Sequence, residues 1–279
     1  MIKAGIFLDL DNLSRNGGWG IRYDAIKLLV KAQGAVVLRA NAYMAVDEER
    51  EARDPLLGQK RRDYRDAIRR YGYNLALKPM RRYVTDEGEI VIKANCDVDL
   101  AVDALLQSEN LDYILLGSGD GDFLGMVRAL QSRGKRVDLL TFGNASSELR
   151  RQVDNHFSGF LMPGILPVDE SAPSRMRGVM ISVNEEKGYG FLAVRTGLGP
   201  TDIRSDVFCH IMDFSRDGRS VSNEQFANLK TRGAIIEFDL TDSGDGRVKA
   251  ANAREYRWGE RPAPATPVFD DADEDAPPA

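Results

Sequence analysis

The stretch at residues 2–13, IKAGIFLDLDNL, decides the fold. Its near-continuous apolar run suits a strand buried on both faces, the condition of a parallel sheet covered by helices. The run stops at Asp9, Asp11 and Asn12. In an open α/β sheet that carboxyl end is where loops hold ligand-binding side chains over the sheet edge. A second stretch, YILLGSGDGDF at 113–123, repeats the design and ends in Ser118, Asp120 and Asp122, with glycines that let the backbone turn tightly. A third, KANCDVDLAVDALL at 93–106, starts a helix with Asp97 in its first turn. There Val98, Val102 and Leu105 form an apolar stripe expected to pack on the sheet.

Outward from these stretches, residues 1–160 alternate short apolar runs with amphipathic segments, which predicts a three-layer α/β unit with a mostly parallel sheet. Strands are expected at 3–10, 35–44, 74–78, 113–117 and 136–142, and helices at 23–33, 56–71, 98–108, 122–133 and 146–155. Gly34 and Gly134 punctuate helix ends, and residues 82–92, with Asp86-Glu87-Gly88 in the middle, read as a hairpin. Proline and small polar residues mark 161–175 as a linker. Residues 176–256 carry short alternating segments broken by Gly, Asp and Asn, as small all-β barrels do. The remainder, 257–279, is an acidic Pro/Ala-rich tail too poor in apolar residues to fold.

A chain of 279 residues with 43% hydrophobic side chains has enough material for two such units. Its net charge of −5 argues against a nucleic-acid partner until it is divided along the chain: residues 1–160 hold 24 Lys+Arg against 23 Asp+Glu, 161–256 hold 12 against 14, and 257–279 hold 2 against 6. The acidity is concentrated in the tail, so a phosphate-rich partner is not excluded. No run nears the roughly 20 apolar residues that span a bilayer, and the start carries no signal-like region, which points to a cytoplasmic protein without a membrane partner. The two cysteines, Cys96 and Cys209, are too few and too scattered for a disulfide framework or a zinc site. The oligomeric state stays open, a homodimer included.

Three or more carboxylates brought together repel one another, and burying them unpaired is costly, so this constellation needs a cation. With oxygen ligands and neither His nor Cys nearby in the pattern, Mg²⁺ or Mn²⁺ is favoured over zinc. Such an ion suits activation of water against a phosphodiester. Each aspartate also has a purely structural use: Asp9, Asp11 and Asn12 as turn formers, Asp97 as a charge facing the helix dipole, Asp120 and Asp122 as caps. Asp103 is assigned to support the ligands from behind, and Asp99 to solvent. The segment 58–83 holds nine Lys or Arg against two Asp. On a helix, Tyr64, Ile68 and Tyr71 would face the sheet while Lys60, Arg61, Arg62, Arg65 and Arg69 point outward, as a solvated face or an RNA-guiding rim.

Taken together and in order, FLDLDNL, DVDLAVDAL and GSGDGDF resemble the NYN/LabA-like branch of the PIN-like nuclease superfamily, over about residues 1–160. The resemblance implies a metal-dependent endoribonuclease with ligands at Asp9, Asp97 and Asp120, and with Asp122, Asn12 and Ser118 beside them. In the second unit, KGYGFL at 187–192 and DVFCHI at 206–211 set Tyr189, Phe191, Phe208 and His210 at alternating positions next to Lys187, as a platform for stacking bases. These strings resemble the two ribonucleoprotein motifs of the cold-shock domain, an OB-fold barrel. The resemblance implies a single-stranded RNA partner. The chain departs from it at Met180, Ile181 and Ser182, where one stacking position is lost, and in the longer insertion GLGPTDIRS at 197–205. Two other functions compete with the nuclease. One is a haloacid-dehalogenase-like phosphatase, which DLDN and GDGD also resemble, although Leu13 follows Asn12 and Lys93 falls on the hairpin. The other is a non-catalytic RNA-binding regulator whose aspartates hold a structural ion.

Overall fold

The computed structural model describes residues 1–84, 90–94, 96–167, 175–216, 218–242 and 247–258. The first unit runs β1 (Ile2–Asp9), α1 (Leu10–Arg15), α2 (Tyr23–Ala32), β2 (Ala35–Val46), α3 (Glu48–Arg53), α4 (Pro55–Arg70) and β3 (Asn74–Pro79). It continues through β4 (Arg81–Val84), β5 (Ile90–Lys93), α5 (Cys96–Gln107), β6 (Tyr113–Gly117), α6 (Leu124–Ser132), β7 (Arg136–Thr141), α7 (Ser147–Gln152) and β8 (Asn155–Ser158).

Six of these strands form a parallel sheet in the order β3-β2-β1-β6-β7-β8. Strand order grows outward in both directions from the β1/β6 pair, so the crevice beyond their carboxyl ends is the topological switch point where this class of sheet binds ligands. Alternation along β1 divides the core. Ala4, Ile6 and Leu8 enter one hydrophobic layer with α2, while Phe7 enters the other with Cys96, Leu100 and Ala104 of α5.

The antiparallel β4–β5 pair is the expected hairpin, and Asp86-Glu87-Gly88 lie outside the described residues. Gly34 and Gly134 follow α2 and α6 at positive φ, +79° and +72°, as helix-ending glycines do. Four expectations need correction. The face of α5 turned to the sheet is Cys96, Leu100 and Ala104, whereas Val98 and Val102 are 57% and 48% exposed. The helix begins two residues before the expected 98, at Cys96, which makes Cys96 rather than Val98 its first core contact. The helix expected at 146–155 ends at Gln152, and Asn155–Ser158 instead pairs with β7 as an edge strand. Tyr71, expected against the sheet, is exposed and caps the end of α4 just past Arg70.

The second unit runs β9 (Arg175–Asn184), β10 (Tyr189–Arg195), β11 (Ile203–His210), β12 (Phe214–Ser215), α8 (Asn223–Thr231), β13 (Ile235–Asp242) and β14 (Val248–Glu255). Strand order β11-β10-β9-β13-β14, with β11 returning to pair with β14, closes a five-stranded barrel compatible with an OB-fold. Leu192, Val194, Val207, Cys209, Ile236 and Phe238 fill it, and α8, held by a Ser222/Gln225 capping box, adds Phe226 and Leu229.

The two units touch. Met162 and Ile165, in the stretch expected to be linker, are buried in the first core. The insertion between β10 and β11 reaches the first unit, where Gln33 Nε2 donates to the Leu198 carbonyl at 3.0 Å. Trp258 stacks on Phe160 with centroids 6.2 Å apart.

Candidate functional site

Asp9 ends β1, is 5% exposed, and caps α1. Its Oδ1 accepts from the Asn12 amide at 3.0 Å, and its Oδ2 accepts from the Ser118 hydroxyl at 3.0 Å. Ser118 follows β6 directly, so this bond joins the two central strands at their carboxyl ends. The Ser118 Oγ in turn accepts from the Asp120 amide at 3.2 Å, while Asn12 Oδ1 accepts from the Gly119 amide at 2.8 Å. A Cβ at position 119 would meet the Ala145 Cα at 3.0 Å, so a side chain there fits only if the neighbouring backbone gives by a few tenths of an ångström. Asp120 Oδ1 accepts from the Asp122 amide at 3.0 Å, opening the turn into α6. The structural use foreseen for Asp120 as a cap is therefore real, and Asp9, foreseen as a turn former, caps α1; each bond engages only one lone pair of the oxygen concerned.

Asp97 lies in the first turn of α5. Burial raises the Asp97 carboxyl above its ordinary value, and the charges of Asp120, Asp122 and Asp11 raise it further. Burial likewise pushes Asp9 up to about 6, partly offset by its bonds to Asn12 and Ser118 and reinforced by Asp97 and Asp11. The Cys96 thiol, desolvated and facing Asp11, Asp9 and Asp97, is pushed up to about 12. Carboxylates from β1, α1, α5 and the β6 loop thus share one field, and among the described residues none of Asp9, Asp11, Asp97, Asp120 or Asp122 is in an ion pair. Among the described residues, no three His, Cys, Asp or Glu side chains approach closely enough to clasp an ion by themselves.

The other expected residues divide. Asn12 and Ser118 support Asp9 and the β6 loop directly. Asp103 instead accepts from the Tyr43 hydroxyl at 2.8 Å, and Asp99, assigned to solvent, is ion-paired to Lys78 at 2.7 Å. Arg65, expected on an outward rim, is 8% exposed and forms an ion pair with Glu51. The cause is α3, a helix whose polar sequence EEREAR has no apolar period, yet which packs Glu51 against α4. Arg61 and Arg62 are exposed, as expected. Asp11 belongs to the site although its Oδ2 also accepts from the Ala45 amide at 2.7 Å, which ties α1 to β2. Its position two residues after Asp9 was the available signal.

On the barrel, Tyr189 pairs with His210, and Phe191 with Phe208, across β10 and β11. The alternate residues Gly190, Leu192, Val207 and Cys209 are buried, which turns the four rings to the outside, half-exposed. Tyr189 and Phe208 lie 5.6 Å apart, Phe191 and Phe208 5.8 Å, and Phe208 stacks with His210 at 6.3 Å. Ser182 stands beside Phe191, where a further ring would extend the platform, and Lys187 is exposed at its edge.

Comparison with known proteins bears on the first unit. The model of the NYN domain family matches residues 3–161, ending before the barrel starts at Arg175. Over 161 residues, 55% of this chain and 82% of the relative, the sequence is 27% identical to the low amplitude and bright protein LabA of Synechococcus elongatus. A crystal structure of a protein of unknown function from Vibrio parahaemolyticus covers 56% of this chain and 92% of its own, at 27% identity and a TM-score of 0.44.

Proposed function

The chain belongs, over residues 3–161, to the NYN domain family of PIN-like nucleases, and from that premise we propose that it is a metal-dependent endoribonuclease acting on single-stranded RNA. The observation that carries this reading is the shared field of Asp9, Asp11, Asp97, Asp120 and Asp122 at the β1/β6 switch point. Two carboxyls, Asp9 and Asp97, raised by burial and by neighbouring carboxylates, with no ion pair among the described residues to neutralise them, fit a hard divalent cation. Mg²⁺ or Mn²⁺ keep waters and take one or two carboxylates together with substrate phosphate, so such an ion does not need three of these side chains to close on it.

Of Asp9, Asp97 and Asp120, one or two would hold the ion directly and the rest through its waters, with Asp122 beside them. Such a cation, when bound, supplies Lewis acidity and lowers the pKa of a water for attack on the phosphodiester. The chain's own residues do the positioning. Ser118 and the Asn12 amide fix both oxygens of Asp9, and Asn12 holds Gly119 so that Asp120 follows at a set place. The amide of Asp122 occupies one oxygen of Asp120 and leaves the other open to a ligand. The half-exposed rings of Tyr189, Phe191, Phe208 and His210, with Lys187, would bind unpaired bases. Arg61 and Arg62 would meet phosphates. A cytoplasmic location suits an RNA substrate, and among the described residues no helix is long and apolar enough to cross a membrane.

The test is cleavage of labelled single-stranded and duplex RNA with Mn²⁺, Mg²⁺ or EDTA. Cation-dependent loss of the single strand, abolished in Asp120→Asn, supports the reading, and intact RNA under all conditions removes it. RNA binding without cleavage is the second reading, favoured by the outward, half-exposed rings of the barrel, which would hold RNA without any aspartate. Binding that persists in EDTA beside RNA that stays whole in Mn²⁺ would select it.

A further inference from the structure

Trp258, three residues past the end of β14, leaves the barrel and lays its indole on two loops of the first unit. A Cβ at Gly143 would collide with the indole's Cζ2, Cε2 and Nε1, and one at Gly17 would meet its Cε3 at 2.9 Å. Gly17 also stands at φ +99°, a conformation that side chains rarely adopt. Phe160 closes the slot by stacking on the ring. Gly17 belongs to the loop after α1, and Gly143 lies two residues past β7 at the carboxyl edge of the sheet. The Gly143 amide donates to the Asn16 carbonyl at 2.8 Å, which fastens the two loops together beneath the indole.

From this slot two bonded routes lead to residues of the site. Along the first, Asn16 donates through its side chain to the Asn12 carbonyl at 2.8 Å and to the Asn12 Oδ1 at 3.3 Å. The same Oδ1 accepts from the Gly119 amide, and the Asn12 amide donates to Asp9. Along the second, the chain runs three residues from Gly143 to Ser146, whose amide donates to the Gly119 carbonyl at 2.9 Å. Ala145, between them, sets its Cα against Gly119. Gly119 is thus held at its amide by Asn12 and at its carbonyl by Ser146, and Asp120 follows it in the chain. A ring that only joined the halves would need Phe160 and no more, whereas this one also bears on the loops whose polar groups fix Asp9 and Gly119.

We infer that Trp258 is a positioning residue for the aspartate crevice, acting through Asn16 and the 143–146 loop, so that the end of the barrel shapes the site. The role rests on the nuclease reading for the reaction it serves. Loops keep their geometry only as well as their contacts hold them. A displacement of about 1 Å at a reacting centre can cost roughly a hundredfold in rate. Removing the ring frees both glycine loops at once, while removing the Asn16 side chain breaks the first route and leaves the indole in its slot.

The experiment reads loop geometry and cutting separately in the full chain, for wild type, Trp258→Ala, Trp258→Phe and Asn16→Ala. Hydrogen exchange in EDTA, followed by mass spectrometry, reports on peptides over 10–18 and 117–123, with peptides of α5 and of β9 and β10 as internal standards. Cleavage of labelled single-stranded RNA in Mn²⁺ gives kcat and KM. Trp258→Ala is expected to quicken exchange in both loop peptides about fivefold, as the loss of one ordinary hydrogen bond would, and to leave the standards unmoved. Its kcat should fall roughly ten- to hundredfold with KM little changed. Trp258→Phe, which keeps a ring in the slot, should recover most of both, and Asn16→Ala should quicken exchange over 117–123 and lower kcat. Should Trp258→Ala lose its fold, Asn16→Ala decides alone. Loop exchange equal to wild type overturns the positioning role, as does quickened exchange beside an unchanged kcat, or exchange that quickens equally in loops and standards. If the loops alone loosen while wild type leaves RNA whole in Mn²⁺, the seat of the crevice stands and the nuclease reading falls. If wild type cuts and neither alanine variant differs from it, the nuclease reading stands and the positioning role falls.

Discussion

The Ser118 hydroxyl donates to Asp9 at 3.0 Å across 109 positions of sequence, joining the ends of the two central strands. That bond favours the ionised carboxylate and opposes the upward push of burial on Asp9. Ser118→Ala removes it and is expected to cost about 1 kcal/mol of stability, the ordinary value of such a bond. It should also move the acid limb of the cleavage-rate profile to higher pH. Rate profiles of the two proteins check this, and superimposable limbs would detach Ser118 from the chemistry.

Asp9 should make the metal-free protein sensitive to pH in a stated direction. Its carboxyl titrates at about 6 when folded against 3.8 ordinarily, so between these values the folded chain keeps a proton that the unfolded chain has released. The corresponding stability is full below 3.8 and lost as pH rises through about 6. Asp9→Asn, with no charge to bury, should therefore be more stable than wild type at pH 8 in EDTA, by up to about 3 kcal/mol, and equal to it at pH 4. The same variant should cut no RNA. Urea melts at the two pH values check the first point.

Arg65 is buried and its partner Glu51 partly so, and removing one leaves the other uncompensated. Arg65→Ala should cost on the order of 3 kcal/mol with unaltered RNA affinity once folded, whereas Arg61→Ala should weaken RNA binding and leave the melting temperature in place. A reversed pattern would restore Arg65 to the RNA surface.

Phe208 contacts three other rings of the barrel platform. Phe208→Ala is expected to lower affinity for single-stranded RNA roughly five- to hundredfold. Binding equal to wild type, in a variant with an unchanged circular dichroism spectrum, would leave the barrel without a role in RNA capture.

Gly143 lies under Trp258, where an added Cβ would collide with the ring. Gly143→Ala should expel the indole and cost about 1–3 kcal/mol, as overpacking does. Protease cutting between the units should become faster, and Trp258 emission should shift to the red. Unaltered cutting and emission would mean that the ring is not seated there.

Much of this is legible in the sequence because the apolar runs are unambiguous. The strand at Tyr113–Gly117 falls where YILLG predicts it, and Asp9, Asn12, Ser118 and Asp120 meet as their positions at strand ends require. Legibility fails where local pattern carries no apolar period. The helix at Glu48–Arg53 buries no residue of its own, so nothing in EEREAR announces it, and the partner that draws Arg65 inward stays hidden. On α5 the valines look like the buried stripe because they are larger side chains, but the close approach of helix to sheet selects Ala104 and Cys96. Contacts between the units, through Leu198 and Trp258, join residues too far apart in sequence for any spacing rule to reveal.

The seating of Trp258 on Phe160 makes the end of the barrel a strap across the parallel-sheet half of the molecule. Severing the chain between the halves would leave raw oily scars on both, at Phe160 and Phe142 on one side and at Tyr256 and Trp258 on the other. Neither piece could then be transplanted whole, and a swap of barrels between two such proteins would have to carry the matching scar with it.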